Sequence, residues 1–517
     1  LAFTRFDVIV LILYFAGVSF FGIFLSGRQR STSDYFLGGH RIPWWAVLFS
    51  VVATETSTLT FISIPAVAYG GNLTFLQITL GYILGRTIVS LLFLPKYYQG
   101  KMSTAYQFLG NRFGNGMRSI TSTTFLVTRL LADGVRLFAS SIPIAIILKL
   151  AGIKIPDLTV YLISILLISM VTVIYTFLGG IKAVVWMDVI QMGVYIGGAF
   201  LAVAILFSRL SPDSAVTYNL IQETGKFKFF QMGLNLPFKD FIAQPYTFLT
   251  ALMGGGVFSV ASHGTDQLIV QRLLTTRNLR SSPKALIGSG FVVLAQFALF
   301  LFIGLLLFGF YRGLTPGQLG LATADEIFAK FIVEEIPSGL SGLIIAAILA
   351  AAMSTLSSSI NSLASSTTLD LYKPRWGKAN TPAEDLKASR IFTVFWAIVL
   401  TGSAFLFSVL QLHSGSQQPA VVELGLGIAS YTYGGLLGVF VLGMIFRRIG
   451  RTDALVGFFS GLTALLFLVE GPIQNLLPGQ GLSIAWPLYT VIGALIVVSV
   501  GYICHLLRRS IRHPEDR

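Results

Sequence analysis

Charge and sulfur are scarce in this chain. Of its 517 residues, 11% are charged and one is a cysteine, Cys504. A lone cysteine excludes an intramolecular disulfide framework. So little charge excludes a soluble protein of this length, which would divide into two to four domains with charged surfaces. Familiar enzyme signatures are missing as well. The sequence holds no His-Glu-x-x-His pair, no Gly-x-Ser-x-Gly elbow and no phosphate-binding Gly-rich Lys loop. A repeated pore-filter motif of the channel type is also absent.

Hydrophobic runs fill the space instead. Apolar residues make up 54% of the chain, in stretches long enough to cross a hydrocarbon core of about 30 Å, which takes about 20 helical residues. Thirteen spans are expected, at 6–26, 45–70, 73–95, 119–148, 156–178, 183–208, 245–271, 285–311, 337–370, 390–412, 421–446, 453–471 and 483–507. The first reads as a retained span, because it is long, ends in "SGRQR" and lacks a small-residue cleavage site. The chain is therefore expected to be an all-α polytopic membrane protein.

Basic residues orient it. With the N-terminus outside, 24 of the 36 Lys and Arg residues fall in inner loops or the C-terminal tail, as retention of cationic loops in the cytoplasm requires. The C-terminus is therefore expected to be cytoplasmic, and the cell inner (plasma) membrane is the expected location. The net charge of +14 is then a matter of topology, not of nucleic-acid binding.

Two spans look interrupted. The second reads "LFSVVATETSTLTFISIPA", with polar residues from Thr54 to Thr58 at mid-membrane and the carboxylate Glu55 among them. The seventh reads "LMGGGVFSVASHGTD", three glycines followed by Ser262, His263 and Gly264. Irregular backbone survives in lipid only where it lines a cavity or binds something, and paired breaks in two halves mark transporter binding sites. The breaks lie five spans apart, an odd number, so the second half enters from the opposite face as an inverted repeat. Close packing of two kinked helices is the blander alternative.

The stretch "AAAMSTLSSSINSLASS", 350–366, crowds hydroxyls into an apolar span. Ala351, Ser354, Thr355 and Ser358 follow i, i+3, i+4, i+7 spacing and share a helix face, with Ser357 beside them. Neutral oxygens so spaced suit a small hard cation that must also be released. Asp188, in a span with no basic residue closer than Lys182, would strengthen such a site. Serines also serve close helix packing; the two breaks and the intramembrane Asp favour the ion.

"DYFLGGHRIPWWAVLFSVVATETSTLTFISIPAVAY" (34–69), "GGIKAVVWMDVIQ" (179–191), "TDQLIVQR" (265–272) and "AAAMSTLSSSINS…LDLY" (350–372) resemble the sodium/solute symporter family over nearly the whole chain. The resemblance implies a leucine-transporter-type 5+5 inverted repeat with about 13 transmembrane helices. It divides the chain into an extra N-terminal helix and inner loop at 1–44, a first repeat at 45–208, an outer loop at 209–242, a second repeat at 243–446, and two C-terminal helices with a tail at 447–517.

It also implies Na⁺ as the coupling ion. The family's shared sodium site falls on carbonyls of Ala53 and Thr56 facing Ala351, Ser354 and Thr355. A second site, similar to that of sialic acid transporters, falls on Asp188, Ser354, Ser357 and Ser358. The family's substrate positions carry over less well. The residues that read sugars fall at Thr79 and Leu426, and the aromatic inner gate is replaced by Ser262 and His263. Ser57, Thr60 and Phe75 match the sialic acid pocket, whose carboxylate-binding Arg falls at about Ala132. Arg129 and Arg136 flank that position at helical spacing, and Glu55 departs from these relatives.

Intramembrane ionisable groups are functional candidates. Either Arg136 or Arg129 receives an anionic substrate while Asp133 holds the other, or these residues and Glu55 form structural ion pairs. His263 is hydrogen-bonded lining or a gating contact; Glu423 and Glu470 are interfacial. The expected function is sodium-coupled secondary active symport of a small polar organic solute by alternating access, not enzymatic turnover. The solute is a sugar, sugar acid or carboxylate, with an amino acid, vitamin or inorganic anion as alternatives. A cation channel or transporter-like sensor is the alternative of a different class. Expected partners are the solute, sodium ions and the bilayer, with no nucleic acid, and the protein is expected to be a monomer.

Overall fold

The structure is a computed structural model describing residues 4–27, 29–150, 152, 154–210, 214–321, 323–377, 379–414, 421–468 and 483–512. Glu470 lies outside the described residues, as do the side chains of Glu423 and Leu426. Among the described residues nine helices are long and apolar enough to cross a membrane, and a bent pair makes a tenth. The bent pair is α1 (Trp44–Glu55) and α2 (Thr58–Gly70), which meet at 65°. The expected thirteen crossings are reached only by dividing the 54-residue helix Asp157–Leu210 in two and by counting the shorter helices Phe248–Gly264 and Ala429–Ile445.

Helix α3 (Gln77–Leu92) follows the bent pair, then α4 (Asn115–Ala139) and α5 (Asp157–Leu210). At 1.5 Å per residue α5 would run about 80 Å, more than twice a hydrocarbon core. It turns at Gly180, whose φ of +54° is open to glycine and strained for other residues. A Cβ there would also strike the Tyr35 carbonyl. The expected fifth and sixth spans are the two arms of α5.

Helix α6 (Phe248–Gly264) runs unbroken through Gly254, Gly255 and Gly256. Within the stretch expected to be interrupted, the glycines themselves stay helical. They serve close packing: a Cβ on Gly81 of α3 would lie 2.6 Å from the Ala251 carbonyl and 2.7 Å from the Gly256 nitrogen. The interruption comes later, at Thr265 and Asp266, before α7 (Gln267–Leu274). Asp266 caps α7, its Oδ1 accepting from the Leu268 N–H at 2.8 Å.

Helix α8 (Ser281–Phe310) packs on α2, and α9 (Leu340–Ser366) runs through the centre, with nearly every residue buried. A helix buried all round must satisfy its own hydroxyls. Ser358 Oγ donates to the Ser354 carbonyl at 2.6 Å and Ser359 Oγ to that of Thr355 at 3.1 Å. Helices α10 (Pro382–Ser414), α11 (Val421–Ile445), α12 (Arg451–Leu468) and α13 (Pro487–Arg512) follow, and the N-terminal helix Arg5–Ser26 packs against α5 and α9 to complete the bundle. Its periphery is apolar, with Ile163, Met170, Phe291 and Ile398 each more than half exposed, as a lipid-facing surface requires.

Candidate functional site

The break between α1 and α2 releases backbone groups in the middle of the bundle. In a continuous helix the Ser57 N–H would bond the Ala53 carbonyl; here it donates to Thr60 Oγ1 at 3.4 Å. Thr60 N–H would likewise bond Thr56, and instead donates to the Ser57 carbonyl at 2.9 Å. The carbonyls of Ala53 and Thr56 are thus freed from the helical ladder, which leaves them available as ligands.

They face α9. Ala53, Thr56, Ala350, Ala351 and Ser354 line one small cavity with Gln191, Met192 and Tyr195 of α5. Its volume of about 10 Å³ is on the order of one water molecule. Four of the five residues expected at the shared sodium site are therefore together. Thr355 is not among the lining residues; its hydroxyl turns back to the Ala351 carbonyl at 3.1 Å. Gln191 escaped the sequence reading. It is buried, and among the described residues neither polar atom of its amide has a partner in good hydrogen-bond geometry, although the Tyr14 and Tyr175 hydroxyls lie near it.

Asp188 lies beside this cavity on α5. Its Oδ1 accepts from Ser354 Oγ at 2.6 Å and its Oδ2 from Ser50 Oγ at 2.5 Å. A cation is already there: Arg272 of α7 brings Nη2 to 3.4 Å from Asp188 Oδ2. The same guanidinium donates to Ser50 Oγ at 2.9 Å, to Ser358 Oγ and to the Leu268 carbonyl at 2.8 Å. Both charged groups are fully buried. This overturns the expectation that Asp188 has no base nearer than Lys182, and it brings Arg272, one residue beyond the expected span 245–271, into the interior. Arg272 is 84 residues from Asp188 in the chain, a separation that only folding closes. Ser354 and Ser358 share this network, whereas Ser357 Oγ donates to the Ser354 carbonyl at 3.0 Å and does not reach Asp188.

A second cavity, of about 110 Å³, opens next to the break. Of the expected substrate residues it is lined by Glu55, Ser57, Thr60, Phe75, Arg129, Arg136, Ser262 and His263. Thr79 does not line it, since its hydroxyl donates to the Leu76 carbonyl at 2.6 Å within its own helix turn. Asp133 lies behind the wall. It accepts from Ser359 Oγ at 2.6 Å and sits 3.5 Å from Arg129 and 3.6 Å from Arg136.

The two arginines differ in how fully they are engaged. Arg129 donates twice to Asp266 Oδ2, at 2.5 and 3.1 Å, and to the Tyr433 hydroxyl at 2.6 Å. Tyr433 itself donates to Asp266 at 2.6 Å, closing the network. Arg129 therefore anchors the second break, a role carried by Asp266, which the sequence reading passed over. Among the described residues Arg136 has one carboxylate neighbour, Asp133 at 3.6 Å, and it keeps 14% of its side chain exposed. Glu55 is also paired. Its Oε2 accepts from Arg86 Nη2 at 2.5 Å, its Oε1 lies against His263 Nε2, and Arg86 donates to Ser289 Oγ at 2.5 Å. His263 Nδ1 faces Ser262 Oγ at 2.8 Å. The unforeseen partner Arg86 is fully buried and 31 residues from Glu55.

Comparison with known proteins gives the family and the fold. The sequence model described as "Sodium:solute symporter family" matches residues 35–461. The sodium/sialic acid symporter NanT of Aliivibrio fischeri is 30% identical, the match covering 97% of this chain and 93% of that protein. SiaT of Proteus mirabilis, another sodium/sialic acid symporter, is 30% identical over 96% of this chain and 93% of its own. The human sodium/iodide cotransporter is 29% identical over 89% of this chain and 69% of its own. A solved Na⁺-coupled sialic acid symporter, substrate-bound and outward-open, superposes with a TM-score of 0.81 at 27% identity, covering 98% of both chains. The architecture is the leucine-transporter type expected from the sequence.

Proposed function

The chain belongs to the sodium:solute symporter family, and from that premise we propose how its residues couple sodium to a carboxylate-bearing solute. The protein is a multi-pass membrane transporter, with Na⁺ as the coupling ion and a small molecule as cargo. The proposed cargo is a sugar acid of the sialic acid type, or a smaller carboxylate. The observation that carries this reading is Arg136, a pocket-lining guanidinium whose one carboxylate neighbour among the described residues stands 3.6 Å away. Arginine pairs carboxylates through its fork of N–H donors. Ser57, Thr60 and Phe75 supply hydroxyls and an aromatic face for the rest of a sugar.

In this reading Na⁺ sits in the small cavity, bound by the Ala53, Thr56 and Ala351 carbonyls and Ser354 Oγ. Thr355 and Ser357 join the shells only by changing rotamer. Asp188 forms the second site when Arg272 withdraws. Sodium bound at the break holds α1 and α2 against α9 and so shapes the solute pocket next to it. Coupling then needs only that each ligand bind one conformation better than the other, an effect that is reciprocal. Entry of each cation is favoured by about 2.3 kcal/mol per 100 mV of membrane potential. Repeats at 45–208 and 243–446, an N-terminus outside and residence in the inner membrane belong to the same proposal; the asymmetry of Lys and Arg supports the orientation.

Uptake of labelled N-acetylneuraminate into proteoliposomes, with unlabelled carboxylates and neutral sugars as competitors, tests it. Uptake that requires Na⁺ and falls with carboxylate competitors is expected. Arg136→Gln removes a charge-assisted contact of about 1.5–3 kcal/mol, so solute affinity should fall at least tenfold while sodium still stabilises the protein. Transport of neutral sugars alone, undisturbed by Arg136→Gln, overturns the reading.

A further inference from the structure

Away from the transport path, a cavity of about 850 Å³ opens along the outer side of α10. Three cations line it: Arg30, Lys387 and Arg390. None of them has an ion-pair partner among the described residues. Interior arginines of this protein behave otherwise, since Arg86, Arg129 and Arg272 each meet a carboxylate. Arg390 is the most telling. Its Nε is buried with no hydrogen-bond partner, and its guanidinium lies 5.8 Å from the centroid of the Phe177 ring. A buried donor left unpaired costs about 1–3 kcal/mol, so it calls for an acceptor.

Among the described residues the neighbouring carboxylates do not pair with these three side chains. Asp34 accepts from the Arg30 backbone N–H at 3.2 Å, Glu384 from the Thr381 N–H at 2.7 Å, and Asp385 pairs with Lys373 at 2.6 Å. Below the cations the wall becomes apolar. Ile391, Phe395 and Ile398 follow Lys387 at i+4, i+8 and i+11, one stripe along α10. They are 57%, 49% and 67% exposed. From Lys387 to Ile398 the helix rises about 16 Å, close to half of a hydrocarbon core about 30 Å thick.

We propose that this groove binds an anionic phospholipid, its phosphate held by Arg390, Lys387 and Arg30 and one acyl chain lying along Ile391, Phe395 and Ile398. Three unpaired cations supply the charge complement, and basic pockets between membrane helices are suited to such headgroups. The length of the stripe favours a lipid over free phosphate, which would have no use for it.

Native mass spectrometry of the purified transporter, with phosphatidylglycerol or phosphatidylcholine added, tests this beside thermal stability. Retained phosphatidylglycerol and a raised melting temperature are expected for the wild type, with phosphatidylcholine, inorganic phosphate and glycerol 3-phosphate giving neither. Lys387→Gln and Arg390→Gln should each weaken phosphatidylglycerol retention about fivefold, equivalent to about 1 kcal/mol per cation. Ile391→Ser with Ile398→Ser leaves the charges in place and should weaken retention too. Sodium-dependent stabilisation should persist in every variant, as a check that each is folded. Equal retention of phosphatidylglycerol by wild type and both charge variants overturns the proposal. So does a response to inorganic phosphate as large as that to the lipid.

Discussion

Replacing Arg272 by Gln tests the account of the second cation site most directly. The guanidinium and Asp188 are both fully buried, 3.4 Å apart. At an effective dielectric of about 20 their attraction is about 5 kcal/mol, and breaking one side of a buried pair typically costs about 3–5 kcal/mol. Arg272→Gln should therefore lower stability by about that amount in sodium-free choline buffer. The uncompensated carboxylate, still held by Ser50 and Ser354, is then open to a small cation. Sodium at about a hundred times its dissociation constant would return about 2.7 kcal/mol. The assay is thermal unfolding of wild type and variant in matched choline and sodium buffers, which holds ionic strength constant. The variant should gain more from sodium than the wild type does. If Arg272→Gln is as stable as wild type without sodium, or gains no more from it, then Arg272 does not compete for this site.

Other consequences follow from the same contacts. Ser354→Ala removes an oxygen from both proposed sodium shells and should raise the sodium concentration for half-maximal uptake on the order of tenfold, equivalent to about 1.4 kcal/mol; unchanged sodium dependence would reject the assignment. Gln191→Leu should weaken sodium activation several-fold if its amide faces the ion or its water, whereas a gain in stability with unaltered activation would mark Gln191 as a structural misfit. Gly85→Ala sets a Cβ against the Gly256 carbonyl and 2.6 Å from Ser259 Cβ; overpacking of this kind costs about 1–3 kcal/mol, read as a lowered melting temperature that sodium does not restore.

The glycines show how one composition supports two structures. Three in a row read as a helix break when neighbours are unknown, because glycine weakens an isolated helix. Packed against Gly81 and Gly85, the same residues let two backbones approach, and α6 continues through them. The break at Thr56 and Ser57 was legible because polar residues cluster there without any such partner pattern. Arg272 went unread for a related reason. Near the end of an apolar run it looks like a cytoplasmic anchor, and nothing local reveals that α7 folds inward.

Period and polarity, which are local properties, were enough to establish a helical membrane bundle, an interruption near Glu55 and a hydroxyl-rich face around Ser354. Pairing of charges was not. Glu55 with Arg86, Arg129 with Asp266 and Asp188 with Arg272 are joined across 31, 137 and 84 residues of chain, and each charge is tolerated in the interior only beside its partner. Which arginine stays open to an anion is thus decided by where every other carboxylate ends up, and that exists only once the helices have packed.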